Sequence, residues 1–327
     1  MKAFITGGSG FIGANLVRVL LSENYQVKVL VRKNSRLDNL QGLPVEMVNG
    51  DLLGDDLAEK MRDCSVLFHA AALYSLWHKD QEALYKTNVL GTRNVLLAAQ
   101  KAGIERTVYT SSVAAIGTSK TKNQILDENY QSPPEQLIGC YKKSKYWAEQ
   151  EAQKAISKGQ DIVIVNPSTP IGPWDIKPTP TGEDIICRFL RKKMPAYVET
   201  GLNFIDVRDV AKGHLLALNK GKSGQRYILG NQNLTLQKFL ELLGEVTGQE
   251  APKLTIPIWL PLTVAWLDEY ILGALGKKPS LSFAGVQMSS QLMYYDSSKA
   301  RQELDLPSSC LKQAIKDAVD WFGDSFD

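Results

Sequence analysis

The chain has 327 residues, of which 44% are hydrophobic and 22% are charged, and its formal net charge at pH 7 is +3. This composition supports a large buried core and excludes the disordered and fibrous classes of protein. So small a charge, without dense lysine or arginine blocks, predicts neither a nucleic acid nor a membrane partner. The four cysteines lie far apart with no CxxC pair, so we expect reduced thiols in a cytoplasmic protein rather than a disulfide framework: Cys64, Cys140, Cys187 and Cys310.

The chain begins with an apolar strand that runs into a glycine turn and then into an amphipathic helix. Gly7, Gly10 and Gly13 lie three residues apart in this turn. Glycines at this spacing allow a tight turn, the approach of backbone to a phosphate, and close packing of the helix on the strand. We therefore predict a dinucleotide-binding turn that also includes Phe11 and Ile12.

Strand-like and helix-like segments alternate after this turn. Apolar runs rich in β-branched residues recur at 26–31, 45–48, 65–70, 106–110 and 161–166. Helical patterns lie between them, notably at 80–102 and 140–157. This alternation predicts an α/β fold with a doubly wound parallel sheet, the Rossmann arrangement.

The texture of the sequence changes after residue 166, where prolines become frequent and strand signals become sparse. We predict a dinucleotide-binding domain at 1–166, to which segments at about 203–230 return. The smaller substrate-binding lobe is predicted to consist mainly of 167–202 and 231–327. It is therefore assembled from separate stretches of the chain.

The most apolar segment is 254–275, and it is interrupted by Pro257, Pro261, Asp268 and Glu269. A transmembrane helix needs about 20 consecutive apolar residues, so we expect no transmembrane span. We interpret the segment as a buried helix or a wall of an apolar pocket rather than as a surface that contacts lipid.

The end of the second strand indicates which dinucleotide binds. NAD-binding chains of this type place an acidic residue there, about 20 residues after the glycines, to accept hydrogen bonds from the ribose hydroxyls. This sequence has Arg32 and Lys33 instead, and Asp38 lies too far along the loop to replace the missing acid. Because a guanidinium binds a phosphate in a bidentate manner, we predict that NADP(H) is favoured over NAD(H).

Candidate catalytic residues follow the fifth strand and begin the next helix. Tyr141 and Lys145 are four residues apart, which places both side chains on one face of a helix. A nearby ammonium stabilises a phenolate, so we expect Lys145 to lower the pKa of Tyr141 toward neutrality. Ser111 and Ser112 follow the fifth strand, at the edge of the sheet where such folds bind ligands, and a hydroxyl there can orient a substrate carbonyl.

The histidines and three aromatic residues are the other side chains that could belong to a site. The three histidines are not clustered with acidic residues at metal-binding spacing, so we interpret them as structural and predict no metal site: His69, His78 and His214. Three aromatic residues that follow strand ends are candidates for the wall of an apolar substrate pocket, although packing explains each of them equally well: Tyr74, Trp77 and Trp174.

The order of glycine turn, serine and YxxxK pair resembles the extended branch of the short-chain dehydrogenase/reductase superfamily, whose pattern is TGxxGxxG. The resemblance implies catalytic roles for Ser112, Tyr141 and Lys145. Ser112 matches the family position better than Ser111 because it keeps the family spacing to Gly117.

The same resemblance covers most of the chain and implies further contacts with the cofactor, at four places: Asp51 and Leu52; Ala70, Ala71 and Ala72; Asn88; and Pro167, Ser168 and Thr169. In the family, the first pair contacts adenine and the alanine run lies along the cofactor. The asparagine helps to organise a proton relay, and the last three residues line the nicotinamide.

Three segments, 166–182, 194–204 and 209–218, are similar to bacterial dihydroflavonol 4-reductase-like and hopanoid-associated sugar epimerase proteins. The family's dehydratases carry an Asp-Glu pair directly after the active-site hydroxyl, where this chain has Val113 and Ala114. Its sugar epimerases commonly carry an arginine at the position of Leu202.

These differences favour an NADP(H)-dependent reductase that acts on a ketone or aldehyde, with Tyr141 as proton donor. A sugar epimerase is the alternative enzyme, and an NADP(H)-binding redox sensor is the non-enzymatic alternative. We expect a small carbonyl or alcohol substrate and leave a homodimer open.

Overall fold

The computed structural model describes residues 1–119, 124–275, 277, 279 and 281–323. In this part of the chain the strands are β1 (Lys2–Thr6), β2 (Gln26–Val31), β3 (Glu46–Asn49), β4 (Val66–His69), β5 (Arg106–Thr110), β6 (Ile162–Pro167), β7 (Thr169–Ile171), β8 (Ala196–Tyr197), β9 (Gly201–Asp206), β10 (Arg226–Leu229), β11 (Gln232–Thr235), β12 (Leu254–Thr255) and β13 (Leu292–Met293).

The helices are α1 (Phe11–Ser22), α2 (Leu57–Lys60), α3 (Gln81–Leu84), α4 (Gly91–Ala102), α5 (Val113–Ile116), α6 (Gly139–Ser157), α7 (Arg188–Leu190), α8 (Val207–Lys220), α9 (Leu236–Thr247), α10 (Trp259–Ala274), α11 (Phe283–Met288), α12 (Ser298–Leu304) and α13 (Leu311–Gly323). Two turns of π-helix occupy Tyr85–Leu90 and Thr181–Cys187, and short 3₁₀ turns occupy Asp38–Leu40, His78–Asp80 and Pro134–Gln136.

Seven parallel strands form the central sheet in the order β10-β6-β5-β4-β1-β2-β3. The chain therefore winds outward from β1 in one direction through β3 and then in the other direction from β4. The carboxyl ends of β1 and β4 meet where the winding reverses, and open α/β sheets bind their ligands at such a point. The predicted doubly wound Rossmann fold is confirmed.

Helices cover both faces of this sheet. Ala3 and Ile5 of β1 pack in an apolar cluster with residues of α1 and α8, whereas Phe4 packs on the other face with residues of α2 and α4. Both faces of the inner strands are therefore buried, which explains why these strands appear in the sequence as unbroken apolar runs.

The predicted segments agree with the observed elements to within about one residue for the strands of the central sheet that follow β1, whose conformation local sequence specifies well. The predicted helix 80–102 is observed as an unbroken helical stretch, which begins with a 3₁₀ turn and contains the π-helical turn between α3 and α4. The predicted helix 140–157 corresponds to α6.

A smaller sheet contains β9, which pairs with β7, β11 and β13. It packs with α9 and α13 around a second apolar cluster, in which the rings of Phe204 and Phe239 stack with centroids 4.3 Å apart. The strand expected near residue 203 thus lies in this second sheet. Helix α8 packs on the central sheet, and β10 is a strand of it. The division into a dinucleotide-binding and a substrate-binding lobe remains a prediction.

The segment 254–275 departs from its expected burial. One side of α10 packs on the protein, but its other side is exposed, so the interpretation as a buried helix is wrong. Nine large apolar side chains of the segment are exposed: Leu254, Trp259, Leu260, Val264, Trp266, Leu267, Tyr270, Ile271 and Leu275. The hydrophobicity of a sequence shows that burial of a helix would be favourable. It does not show whether another element of the fold covers that helix. None of the helices in the described ranges is long and apolar enough to cross a membrane.

Candidate active site

The glycine turn between β1 and α1 forms an open cradle. Gly7 has φ +77°, and a Cβ there would lie 2.6 Å from the backbone nitrogen of Ala71. A Cβ on Gly13 would lie 2.0 Å from the Gly7 carbonyl oxygen. A Cβ on Gly10 would meet only that oxygen, at 3.3 Å, so Gly10 faces open space. The first and last glycines are therefore required by packing, and the middle one leaves room for a ligand.

The start of α1 suits an anion. Gly10 is its N-cap residue, so no side chain caps the helix, and its first turn contains no acidic residue. The free N–H groups of a helix N-terminus carry partial positive charge and bind phosphates. The cradle and the helix end together fit a dinucleotide pyrophosphate beside Phe11 and Ile12.

The predicted cofactor residues that follow β4 lie directly beside this turn. The backbone N–H of Ala70 donates to the Thr6 carbonyl oxygen at 3.1 Å, and that of Ala71 donates to the Thr6 hydroxyl at 3.3 Å. Ala72 is exposed. The alanine run and the glycine turn thus form one surface at the point where the winding of the sheet reverses.

Residues that follow β2 and β3 lie farther along the same edge. Arg32 and Lys33 are exposed, and neither forms an ion pair within the described ranges. Asp38 accepts from Arg36 Nε at 3.3 Å and so is engaged elsewhere. The carboxylate of Asp51 accepts from the Leu53 backbone N–H at 3.0 Å, and the neighbouring Leu52 is buried against α4.

The two serines after β5 have different surroundings. Ser111 is buried, and its hydroxyl donates to Glu149 Oε2 at 2.5 Å. Ser112 is half-buried and caps α5 by accepting from the Ala114 backbone N–H at 3.1 Å, and its hydroxyl acts on the pKa of the neighbouring Tyr141. Of the two serines, Ser112 is thus the one whose hydroxyl influences Tyr141.

Helix α6 carries Tyr141 and Lys145 one turn apart, as predicted. Burial raises the pKa of Tyr141 to about 12, and the neighbouring Ser112 hydroxyl opposes this effect. Lys145 is buried, its Nζ donates to the Thr110 carbonyl oxygen at 2.9 Å, and burial lowers its own pKa to about 8. The expected lowering of the tyrosine pKa by Lys145 is therefore wrong for this arrangement, because desolvation dominates and the ammonium is directed to a backbone carbonyl.

Asn88 connects the loop after β4 to helix α6. It is buried in the π-helical turn, where its Oδ1 accepts from the Leu73 N–H at 2.7 Å and its Nδ2 donates to Ser144 Oγ at 2.9 Å. The Ser144 hydroxyl in turn donates to the Tyr141 carbonyl oxygen at 2.7 Å. Asn88 therefore holds the alanine loop and α6 in a fixed relation.

Pro167 ends β6, Thr169 begins β7, and Ser168 lies between the two strands. The backbone N–H of Ser168 donates to the Leu229 carbonyl oxygen at 3.0 Å. Its Oγ atom is buried and has no hydrogen-bond partner among the described residues. Since a buried hydroxyl normally has a partner, this atom is suited to a polar group of a bound ligand.

A buried polar network behind the serines was not predicted. Glu149 Oε2 accepts from Ser111 and from Asn166 Nδ2, the latter at 3.0 Å, and Oε1 lies 2.8 Å from Arg226 Nε. Asn166 Nδ2 also donates to the Ser112 carbonyl oxygen at 3.0 Å. The network fixes the backbone at Ser112. One signal was visible in the sequence, because Glu149 lies four residues after Lys145 and so on the same face of the helix.

The remaining candidates differ in whether they lie near Tyr141. His69 and His214 are buried, and burial lowers their pKa values to about 3 and about 4. No group of metal-binding side chains is present in the described residues. The Trp174 ring lies under Arg18 at 3.6 Å, next to α1, so it packs away from the serines. The Tyr74 ring instead lies 4.4 Å from the Tyr141 ring.

Comparison with known protein families gives a match that agrees with this geometry. Residues 3–230 match the model of the NAD dependent epimerase/dehydratase family. The chain belongs to this family. It is an extended short-chain dehydrogenase/reductase, an NAD(P)-dependent enzyme, as the glycine turn and the YxxxK pair indicate.

Three relatives of this family member align over 98% of its length. A provisionally named dihydroflavonol 4-reductase of Synechocystis is 66% identical, and 94% of that protein is covered. Sterol demethylase protein B of Methylococcus capsulatus is 33% identical, with 98% covered. The 4-hydroxy-2-methyl-3-oxo-4-farnesyl-3,4-dihydroquinoline-1-oxide ketoreductase of Stigmatella aurantiaca is 34% identical, with 96% covered.

Solved structures confirm the family fold. The crystal structure of gox2253 has a TM-score of 0.88 and 41% identity, and the alignment covers 99% of this chain and 98% of the other. A nucleoside-diphosphate-sugar epimerase from Pseudomonas aeruginosa has a TM-score of 0.82 and 22% identity, with 99% and 98% covered. At 22% identity, the similarity to this epimerase structure concerns the fold alone.

Proposed function

We propose that this enzyme reduces a ketone or aldehyde with NADP(H). The observation that carries the proposal is the placement of the Ser112 hydroxyl, which follows β5, beside the side chain of Tyr141 on α6. Two hydroxyls so placed can hold one carbonyl oxygen, and no carboxylate stands directly after them, since Val113 and Ala114 follow. This favours proton donation to an oxygen over elimination chemistry.

In the proposed reaction Ser112 orients the substrate carbonyl and Tyr141 gives its proton to the oxygen. A pKa raised to about 12 keeps Tyr141 protonated at neutral pH, which a proton donor requires. Lys145, held by the Thr110 carbonyl, is placed to bind the ribose hydroxyls of the cofactor. The nicotinamide, when bound, supplies the hydride to the carbonyl carbon.

Features of the chain support NADP(H) as the cofactor. The glycine cradle fits the pyrophosphate, and the buried Ser168 hydroxyl is suited to a polar group at the nicotinamide end. At the adenosine end, the unpaired, exposed side chains of Arg32 and Lys33 are suited to a 2′-phosphate. We also assign Asp51, Leu52 and the alanine run to this cofactor.

We propose an apolar substrate. Tyr74 lies against Tyr141 and presents an aromatic surface beside the reacting hydroxyl. The names of two relatives refer to a sterol and to a farnesylated quinoline oxide, both of which are largely apolar. An apolar carbonyl compound fits these features better than a nucleotide sugar.

A sugar epimerase remains the second candidate, because the family and several structural neighbours carry that name. Two observations weigh against it. Position 202 is a leucine that packs against the second apolar cluster. Arg208 is engaged by Asp206 and by Asp317, in each case at 2.6 Å, and so is not free to bind a diphosphate. Family membership disfavours the redox-sensor alternative.

The replacement Tyr141→Phe tests the proposal. It keeps the ring and removes the hydroxyl, so NADPH affinity should be unchanged while turnover of dihydroflavonols or prenylated ketones falls by roughly 10² to 10⁴. Tyr146→Phe, on the same helix, is the matched control and should leave turnover unchanged. Full turnover by Tyr141→Phe would contradict the proposed mechanism. The cytoplasmic location and the homodimer also remain predictions.

A further inference from the structure

Helix α10 is oriented opposite to an ordinary surface helix, with its apolar side facing water. Half of its circumference, which we call the outer face, carries large exposed apolar side chains: Trp259, Val264, Trp266, Leu267, Tyr270 and Ile271. The polar side chain on this face, Thr263, donates its hydroxyl to the Trp259 carbonyl oxygen at 2.9 Å. Monomeric proteins rarely expose so large a contiguous apolar patch without a binding role.

Both carboxylates of the helix lie on the opposite side, toward the protein. Asp268 Oδ2 accepts from the Leu281 backbone N–H at 2.9 Å. Glu269 Oε2 accepts from the Phe283 N–H at 3.2 Å, and its Oε1 contacts His78. Because these hydrogen bonds fix the rotation of the helix, its apolar side is held outward and carries no negative charge.

Cations stand at the two ends of the outer face. Lys253 precedes the helix and is almost fully exposed, with a long contact of 3.8 Å to Glu250. Lys277 follows the helix and is exposed, and Lys79 Nζ donates to the Gly273 carbonyl oxygen at 2.7 Å near the same end. The outer face is therefore an apolar strip with amphipathic aromatic rings and positive ends.

We propose that the outer face of α10 docks on the surface of an anionic lipid bilayer. Tryptophan and tyrosine favour the interface between acyl chains and headgroups, and lysines near it are attracted to anionic lipids. Sixteen helical residues extend about 24 Å, which is shorter than the hydrocarbon core of about 30 Å, so the helix lies in the plane of the membrane.

Charge favours lipid over a second copy of the chain as the occupant. If two copies paired antiparallel through this helix, Lys253 of each copy would approach Lys277 of the other, and the outer face itself offers no carboxylate, since Glu250 beside it already contacts Lys253 at 3.8 Å. Like charges brought together in this way oppose association. Anionic headgroups instead complement both ends at once.

The docking surface adjoins a cavity of about 490 Å³. Trp266 and Tyr270 belong both to the outer face and to the cavity lining, which also includes His78, Glu269 and Phe283. The lipid-facing side and this open surface pocket thus share two aromatic residues. The docking itself does not depend on the proposed reaction.

Vesicle sedimentation of the full chain tests the proposal. Vesicles of phosphatidylcholine with about one third phosphatidylglycerol should bind the protein, vesicles of phosphatidylcholine alone should bind it more weakly, and added salt should weaken the first interaction. Quenching of tryptophan fluorescence by brominated lipid should accompany binding, because Trp259 and Trp266 lie on the docking face.

The double replacement Leu267→Glu with Ile271→Glu should weaken vesicle binding at least about tenfold. The matched control is Leu97→Glu with Ile125→Glu. Leu97 and Ile125 are 44% and 53% exposed, against 44% and 55% for Leu267 and Ile271. The control should bind vesicles like the unaltered chain, and circular dichroism should show both variants folded.

Three outcomes would overturn the proposal. The first is no sedimentation with either kind of vesicle. The second is undiminished binding by the outer-face variant, and the third is equal loss by the control. The chain could instead fail to bind vesicles and form a dimer in sedimentation equilibrium. If the outer-face variant abolishes that dimer, a second copy of the chain is the occupant of the outer face.

Discussion

Replacing Gly10 by valine should remove cofactor binding while leaving the fold nearly unchanged. Gly10 has φ −83° and ψ 176°, an extended conformation that any residue adopts. A Cβ there would approach only the Gly7 carbonyl oxygen, at 3.3 Å, which requires a shift of a few tenths of an ångström. Valine is a poorer N-cap residue than glycine, so the free energy of unfolding should fall by on the order of 1 kcal/mol.

The effect on binding should be much larger, because the new side chain fills the space that a pyrophosphate needs. A hydrogen bond to a charged group contributes about 1.5 to 3 kcal/mol. Loss of two such bonds from the first turn of α1 would weaken binding by about 3 to 6 kcal/mol, or roughly 10² to 10⁴ in Kd. A loss of affinity of this size would distinguish a turn that binds the pyrophosphate from a turn that serves only to pack the helix on the strand.

The assay combines a calorimetric titration with NADPH and thermal unfolding followed by circular dichroism. Gly13→Ala is the contrasting variant, since its Cβ would lie 2.0 Å from the Gly7 carbonyl oxygen and should lower the free energy of unfolding by about 3 kcal/mol or more. Gly323→Ala is the control, because the new Cβ would meet no atom of the described residues within 4 Å outside its own helix and chain neighbours. A folded Gly10→Val protein with an unchanged Kd would refute the assignment of the cradle.

Three further predictions concern charge. The unaltered chain should bind NADPH more tightly than NADH, by roughly tenfold to a hundredfold in Kd, and Arg32→Asp should reverse this order. The control Arg62→Asp should keep it. Equal Kd values for the two cofactors in the unaltered chain would contradict the predicted preference. Because burial lowers the pKa of Lys145 to about 8, carbonyl reduction should decline above about pH 8 as the ammonium loses its proton, and a profile flat to about pH 10 would contradict its role. Glu149→Ala leaves the largely buried Arg226 without its carboxylate partner and should lower the free energy of unfolding by about 3 to 5 kcal/mol, measured by urea denaturation; a change below about 1 kcal/mol would contradict that pairing.

The sequence was most informative where a local pattern determines local structure. The glycine spacing, the β-branched runs and the i, i+4 spacing of Tyr141 and Lys145 each specify the conformation of a short segment, and the structure has these elements at the predicted positions. The fold class followed from the alternation of strands and helices.

Properties that depend on distant packing were not predicted correctly. The pKa of Tyr141 rises because tertiary neighbours remove water from its hydroxyl, and no local spacing encodes that burial. The strand near residue 203 joins a second sheet because its partners, β7, β11 and β13, lie elsewhere in the chain. Helix α10 is apolar on nearly all sides, a pattern that normally indicates burial, yet no described element covers its outer face.

The most direct test of the central claim is to follow the hydride. With NADPH deuterated at the transferred position and a panel of apolar ketones and aldehydes, the account predicts that deuterium appears in a released alcohol while an equivalent amount of NADPH is consumed. The label should be absent from the product of Tyr141→Phe on the same timescale. Inversion of a sugar centre with no net oxidation of the cofactor would contradict the reductase assignment and establish the epimerase in its place.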